Sequence, residues 1–345
     1  MLSSMEFNWD GEKPETSEVS APPQQKLIFI KDLKAQDEVQ STFLVKSKET
    51  FMAKSGKPYL ALLLMDRTGE IDARVWENAQ TLTSTFQQGD IIALRGRVNS
   101  YQNKLQLVVS HLVPSPQADL RNYLPASLQD PDLMFDELCG FLNGIKNPWI
   151  RDLSLQLLQD KALSERYKLC PAAKSVHHAY IGGLLQHSLQ LVKVVDAISK
   201  IYPELDRDLL LFGAAFHDIG KTAEISSLQN FDYTDEGKLL GHISIGVTTI
   251  DQKIRVMADF PKQLELQLKH MVLSHHGQLE FGSPVRPQTL EAQVLHHLDD
   301  MDSKIDGIQT LIRGEGNQTQ WTSFHKTYGQ CYFRPQLQKQ DKALK

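Results

Sequence analysis

The stretch Leu209-Leu-Leu-Phe-Gly-Ala-Ala-Phe-His217-Asp218-Ile-Gly-Lys221 decides how the rest of the chain is read. Leu209 to Phe216 is the longest uninterrupted apolar run in the sequence, eight residues with Gly213 counted. It reads as an apolar helix ending in an adjacent imidazole and carboxylate, with Gly220 as the expected helix stop. An aspartate in such surroundings is rarely buried unless it is paired or bound to a metal.

Working outward, ten of the twelve histidines fall between His177 and His297. His187 shares a helical face with Leu184, Leu191, Val194, Val195 and Ile198, so its ring is expected to point inward. Downstream come His242, the pair His275-His276, and Asp299, which shares a face with Leu295, Asp302 and Ile305. Imidazole plus carboxylate is the ligand set of borderline divalent ions such as Mn, Fe, Co, Ni or Zn. Four neutral histidines and two aspartates around two such ions leave a net charge of about +2, which attracts phosphate oxygens. Any one of these histidines alone reads more readily as a hydrogen-bonded core residue; the ordered series on successive helices points to a metal centre. Lys221 reads either as a contact to a scissile phosphate or as a solvated charge at a helix end. His177 and His178 read as substrate contacts or as caps at a helix start, and His270 and His296 as structural.

The helical periodicity begins near Asp130 and includes spans at 182–201, 206–216, 242–257, 261–274 and 287–311. Before it the texture is different. Between Leu27 and Val113 five period-two segments alternate with turn sequences such as Lys54-Ser-Gly-Lys-Pro and Asp66-Arg-Thr-Gly. A short helix at 78–87 is expected after the third strand. Five strands with a helix after the third is the pattern of an OB-fold barrel. Such a barrel binds single strands with one face and the loops between strands 1–2 and 4–5. The expected 1–2 loop, 46–57, holds Lys46, Lys48, Phe51, Lys54 and Lys57, with Tyr59 beside it; the 4–5 turn holds Arg97, Tyr101 and Lys104. Phe43 and Trp76 are expected in the barrel core.

Composition limits the alternatives. A net charge of −5 excludes a uniformly basic nucleic-acid coat, and 41% hydrophobic residues exclude global disorder. No apolar run approaches the roughly 20 residues of a membrane span. The cysteines, Cys139, Cys170 and Cys331, are far apart with no CxxC pair, which argues for a reducing compartment and against a disulfide scaffold or a thiolate metal site. The first 26 residues lack the pattern of a signal peptide and read as a disordered acidic tail. A cytoplasmic location is the expectation.

The motifs resemble a known family. His187, His217-Asp218 and Asp299 match the H…HD…D pattern of the HD-domain metal-dependent phosphohydrolases. Val176-His-His-Ala-Tyr-Ile-Gly-Gly-Leu-Leu-Gln-His-Ser, Tyr233-Thr-Asp-Glu-Gly-Lys-Leu-Leu-Gly-His-Ile, Ser274-His-His-Gly and Thr289-Leu-Glu-Ala-Gln-Val-Leu-His-His-Leu-Asp-Asp-Met-Asp-Ser-Lys are similar to the YhaM-type 3′–5′ exoribonucleases. That family also carries an N-terminal OB domain with a run like Gly56-Lys-Pro-Tyr and Asp66-Arg-Thr-Gly-Glu-Ile-Asp-Ala. The resemblance covers about Leu27 to Tyr332. It implies a multidomain chain, a small all-β OB-fold barrel (27–113) followed by an all-α HD-type catalytic domain (131–335), with a linker at 114–130 and a basic tail at 336–345. It also implies hydrolysis of single-stranded RNA, with single-stranded DNA as a further substrate, to nucleoside 5′-monophosphates.

Carried over by position, His187, His217, Asp218 and Asp299 would hold a first divalent ion. Asp218 would bridge, and His242 with His275 or His276 would complete a second site. Manganese is the ion most expected, with Fe, Co, Ni, Zn or Mg as the others. The HD-GYP cyclic-dinucleotide phosphodiesterases share the His-His step, but Gly277-Gln-Leu-Glu-Phe-Gly-Ser-Pro lacks the Gly-Tyr-Pro that should follow. Two other functions remain compatible with the residues: an HD-type nucleotide or cyclic-dinucleotide phosphohydrolase, and a non-catalytic nucleic-acid-binding protein. The stretch 303–345 holds seven Lys/Arg against three Asp/Glu; it is expected to steer substrate or to pack on a second copy in a homo-oligomer.

Overall fold

The computed structural model describes residues 28–101, 104–115, 119–174, 178–226, 231–314 and 319–334. The expectations for His177 and for the tails at 1–26 and 336–345 lie outside the described residues.

The N-terminal unit is a closed five-stranded barrel in the order β1-β2-β3-β5-β4, from β1 (Glu38–Met52), β2 (Pro58–Asp66), β3 (Gly69–Val75), β4 (Ile91–Tyr101) and β5 (Lys104–Pro114). The sequence alternates because each strand has one face toward the barrel axis: Ile71, Ala73 and Val75 are buried while Asp72 is exposed and Arg74 half-exposed. β1 pairs with β4 through its first half and with β2 through its second, with a register shift between Val45 and Ser47. That irregularity lets one long strand bend across the barrel and close it. β3 and β5 pair in parallel, and α1 (Ala79–Leu82) spans the gap between β3 and β4.

The expected 1–2 loop is much shorter than 46–57. β1 runs on to Met52 and β2 starts at Pro58, so Lys48 and Phe51 are strand residues. Phe43 is fully buried, but Trp76 is not a core residue: alternation turns it outward and leaves it 49% exposed.

The C-terminal unit is all-helical, with α2 (Pro131–Asn143), α3 (Pro148–Gln159), α4 (Lys161–Leu169), α5 (Gly183–Ile198), α6 (Arg207–Phe216), α7 (Lys221–Glu224), α8 (Asp235–Arg255), α9 (Lys262–Ser274) and α10 (Leu290–Gly314). Asp130, Asn147, Asp160, Asp206 and Thr234 cap helices by accepting bonds from first-turn N–H groups. Every residue from Leu209 to Phe216 is buried, so α6 is the central rod around which the others pack.

Gly220 is not a left-handed helix stop. Its φ is −64°, and it sits where a Cβ would lie 1.9 Å from the His242 carbonyl oxygen. Only glycine lets α8 rest against the turn after His217-Asp218. The helix bearing His242 starts earlier than expected and breaks at Gly241, whose φ of 71° is costly for any other residue. Ile305 is 48% exposed rather than inward, because α10 outruns the core beyond Leu295.

In the stretch expected as a linker, the described residues from Asp119 on pack between the two units. Tyr123 and Leu124 are buried, Ala126 forms a parallel bridge with Ile181, and the Tyr123 hydroxyl is hydrogen-bonded to Thr42 of β1. Leu44 and Ile91 of the barrel belong to the same apolar cluster as the helical core.

Candidate metal centre

Five imidazoles converge on Asp218, and each is oriented the same way. The Nδ1 of His187 bonds Asp302 Oδ2 (2.7 Å), and that of His217 bonds the Gly213 carbonyl (3.2 Å). The Nδ1 of His242 bonds Glu224 Oε1 (3.1 Å), that of His275 the Val272 carbonyl (2.7 Å), and that of His276 the Phe281 carbonyl (2.8 Å). An acceptor on Nδ1 fixes the proton there and leaves the Nε2 lone pair to face the centre. The helices supply this arrangement: His187 comes from α5, His217 caps α6, His242 follows the Gly241 break, and His275 and His276 follow α9.

The Nε2 atoms fall into two sets. His187 Nε2 lies 3.3 Å from His217 Nε2 and 3.2 Å from Asp299 Oδ1, and His217 Nε2 is 3.3 Å from Asp218 Oδ2. On the other side, His242 Nε2 and His275 Nε2 each lie 3.5 Å from Asp218 Oδ1. His276 joins them: one nitrogen from each of His242, His275 and His276 lies within 4.8 Å of the others. Asp218 thus turns one oxygen to each set.

These residues fit divalent ions. Asp218 Oδ1, His242 Nε2 and His275 Nε2 are buried and have no hydrogen-bond partner, which is costly unless a cation supplies the missing interaction. The Nε2 atoms of His187 and His217, 3.3 Å apart, face each other directly and must share either a proton or a cation.

The carboxylates demand that charge too. Burial opposes ionisation of Asp218, yet the Lys221 ammonium and the His217 and His275 rings hold it well below the usual carboxylate range. Asp299 is held low against its burial by His187 and His217. Burial alone would lower the His187 pKa, but bonds and charge from Asp299 and Asp302 push it up to about 10, so its Nε2 would take up an ion only by giving up a proton. Burial keeps His275 and His276 below the usual imidazole value, which leaves them neutral near pH 7, as candidate ligands must be.

Lys221 is buried and its Nζ donates to Asp218 Oδ2 at 2.6 Å, so it is not a solvated helix-end charge. It lines a cavity of about 220 Å³ with His275, His276, His296 and Asp299. His178 is also buried. It bonds Tyr180 and Asp302 (2.7 and 2.9 Å) and stands behind His187, not at the cavity. His270 accepts from the Gln288 N–H, and His296 bonds the His275 carbonyl. Sequence reasoning assigned no role to two supporting carboxylates, Asp302 and Glu224. Asp302 carried a signal, since it lies one turn after Asp299; Glu224 meets His242 only across eighteen residues.

The barrel residues divide. Phe51, Tyr59 and Trp76 form one outward ribbon of stacked rings, with centroids 5.8 Å and 4.5 Å apart. Trp76 was missed as part of it. Lys54 and Lys57 are exposed in the short β1–β2 loop, and Tyr101 and Lys104 are exposed at the β4–β5 end. Arg97 is exposed but bonds Gln36 and sits 3.8 Å from Glu38. Lys48 is not available to a ligand. It is half-buried, donates to the carbonyls of Thr83 and Phe86, and lies over the Phe86 ring, so it ties down the segment after α1.

Residues 184–304 match the family model described as HD domain, and residues 44–114 the one described as OB-fold nucleic acid binding domain. The 3′–5′ exoribonuclease YhaM of Bacillus velezensis is 34% identical over 272 residues, covering 78% of this chain and 86% of its own. That of Halalkalibacterium halodurans is 35% identical over 271 residues, covering 78% and 84%. That of Bacillus subtilis is 34% identical over 273 residues, covering 78% and 86%.

Proposed function

The chain belongs to the family of the YhaM 3′–5′ exoribonucleases, and from that premise we propose that it removes nucleoside 5′-monophosphates from the 3′ end of single-stranded RNA with two manganese ions. It is a metal-dependent exoribonuclease of the HD class. In our reading His187, His217, Asp218 and Asp299 hold one ion; His242, His275 and His276 with Asp218 hold the other. When bound, such a pair lowers the pKa of water and stabilises the charge that develops in an in-line phosphoryl displacement.

The rest is done by the chain. Asp302 and Glu224 fix the rings of His187 and His242. Lys221 keeps a positive charge at the cavity wall beside Asp218, where a scissile phosphate would meet it. Phe51, Tyr59 and Trp76 offer π faces to successive bases, and Lys54, Lys57, Arg97 and Lys104, with Tyr101, border the path of the backbone. No helix among the described residues is long and apolar enough to cross a membrane, and we place the activity in the cytoplasm, where RNA is the abundant single strand. Single-stranded DNA is the second substrate we propose.

The observation that carries this reading is the set of buried, unpartnered atoms around Asp218: one carboxylate oxygen and two imidazole nitrogens aimed at one another. The test is product mapping on 5′-labelled RNA, with single-stranded DNA, dNTPs and cyclic dinucleotides as parallel substrates. A ladder shortening from the 3′ end, 5′-monophosphate products, dependence on Mn²⁺ and abolition by EDTA are expected. Internal cleavage, 3′-phosphate products or full activity in EDTA would refute it.

A further inference from the structure

Phe281 stands at the mouth of the metal centre and has no part in the chemistry above. It ends the 3-10 turn Leu279–Phe281, between the His275-His276 pair and α10. The residue is 67% exposed and lines the same cavity as Lys221, His275, His296 and Asp299. An aromatic side chain this exposed contributes little to the core, yet its backbone is pinned. The Phe281 carbonyl accepts the His276 Nδ1 proton (2.8 Å), and its N–H donates to the Gln278 carbonyl (3.1 Å). Two residues on, the Ser283 hydroxyl is bonded to the Leu273 and Val285 carbonyls (3.0 and 2.8 Å). The turn is therefore fixed to a candidate ligand, while the ring faces outward.

The size of the cavity says what reaches that ring. Pockets that swallow a whole small-molecule ligand run to about 300–1,000 Å³; this one is about 220 Å³. It takes a phosphate and its sugar, and the attached base must lie at the rim. We propose that Phe281 stacks on the base of the 3′-terminal nucleotide and so positions the last phosphodiester over the metal centre. This deepens the function proposed above and rests on it.

The cavity lining has Asp300 and Ser303 but none of the amide or guanidinium side chains that grip base edges bidentately, and Phe281 is its one aromatic hydrocarbon ring. A π face accepts every base. The subsite therefore tolerates all four nucleotides and holds the larger purines more firmly than pyrimidines.

The test measures removal of the first nucleotide by the full chain with Mn²⁺. The substrates are 5′-labelled RNAs ending in adenosine, uridine or an abasic ribose, and the proteins are wild type, Phe281→Ala and Phe281→Trp. Stacking predicts that Phe281→Ala raises KM about tenfold on the adenosine end, less on the uridine end and not at all on the abasic end. Bound metal should hold within about twofold of wild type, since the backbone carbonyl that serves His276 is kept, and kcat should fall on the adenosine end but not on the abasic end, where nothing stacks. Phe281→Trp should restore the low KM. An unchanged KM on the adenosine end overturns the proposal. So does an equal loss on the abasic end, or a loss of bound metal, because Phe281 would then act through His276. Failure of the wild type to release any mononucleotide would remove the parent reading together with this one.

Discussion

In the helical domain the candidate ligands surround Asp218, a carboxylate only 3% exposed, and each imidazole is braced from behind by a carboxylate or carbonyl. In the barrel the surface we propose for the strand is a ribbon of rings, with Phe51 43% and Trp76 49% exposed, flanked by exposed lysines. The first region accepts a large desolvation cost to fix charge in place. The second accepts almost none and gains sequence-tolerant affinity in return. The two should therefore fail differently when mutated: the centre abruptly and in kcat, the barrel by degrees and in KM or salt dependence.

The sharpest test of that contrast is Asp218→Asn. It removes charge from both ligand sets, so exonuclease activity should fall to background. The thermal stabilisation expected of the wild type with Mn²⁺, about 2.7 kcal/mol at a hundredfold excess over Kd, should shrink towards zero. Differential scanning fluorimetry with and without Mn²⁺ reads this directly, and an undiminished shift would mean the ion binds elsewhere.

Next in size are Asp302→Asn and Glu224→Gln, which keep shape but weaken the hold on His187 and His242. Losing such support costs about 10- to 100-fold in metal affinity or activity. Titrating activity against Mn²⁺ should show a raised midpoint, partly recovered at high metal. An unaltered midpoint for both would break the claim that the rings are oriented from behind.

On the barrel side, Trp76→Ala should weaken binding of a single-stranded oligoribonucleotide by about 5- to 100-fold, measured by fluorescence anisotropy in EDTA. Hydrolysis of a dinucleotide too short to reach the barrel should be unaffected. The smallest effects belong to the cations. Lys54→Ala should lower the slope of log affinity against log salt by just under one. Lys48→Ala should leave the slope alone and instead lower Tm by a few degrees, because the Thr83 and Phe86 carbonyls lose their donor. Equal slope changes for the two lysines would erase the distinction drawn between them.

The same contrast explains which residues could be read from sequence. An imidazole or carboxylate on an apolar helical face is anomalous, so His187, His217, Asp218 and Asp299 announce themselves by position. The five-strand pattern was equally plain, because half-buried strands must alternate. Alternation also gave the outward direction of Trp76, following inward Ile71, Ala73 and Val75, but the size of an indole argued for the core. Lys48 was misplaced because a strand crossing a bend looks like a strand followed by a loop. Glu224 left little trace, since its partner His242 is eighteen residues away and meets it only through the Gly220 contact and the Gly241 break. Side chains whose role depends on one long-range contact carry no local period to detect.

The shared packing at the domain junction has a consequence for substrate length. Leu44 and Ile91 lie in the helical core, and Tyr123 reaches into β1 to bond Thr42. A barrel rooted in this way is a fixed post and not a swinging arm, so the gap between the aromatic ribbon and Asp218 is constant. On the function proposed above, an RNA would keep both grips until its remaining length falls below that gap, and shorter pieces, held by the catalytic end alone, would be consumed more slowly.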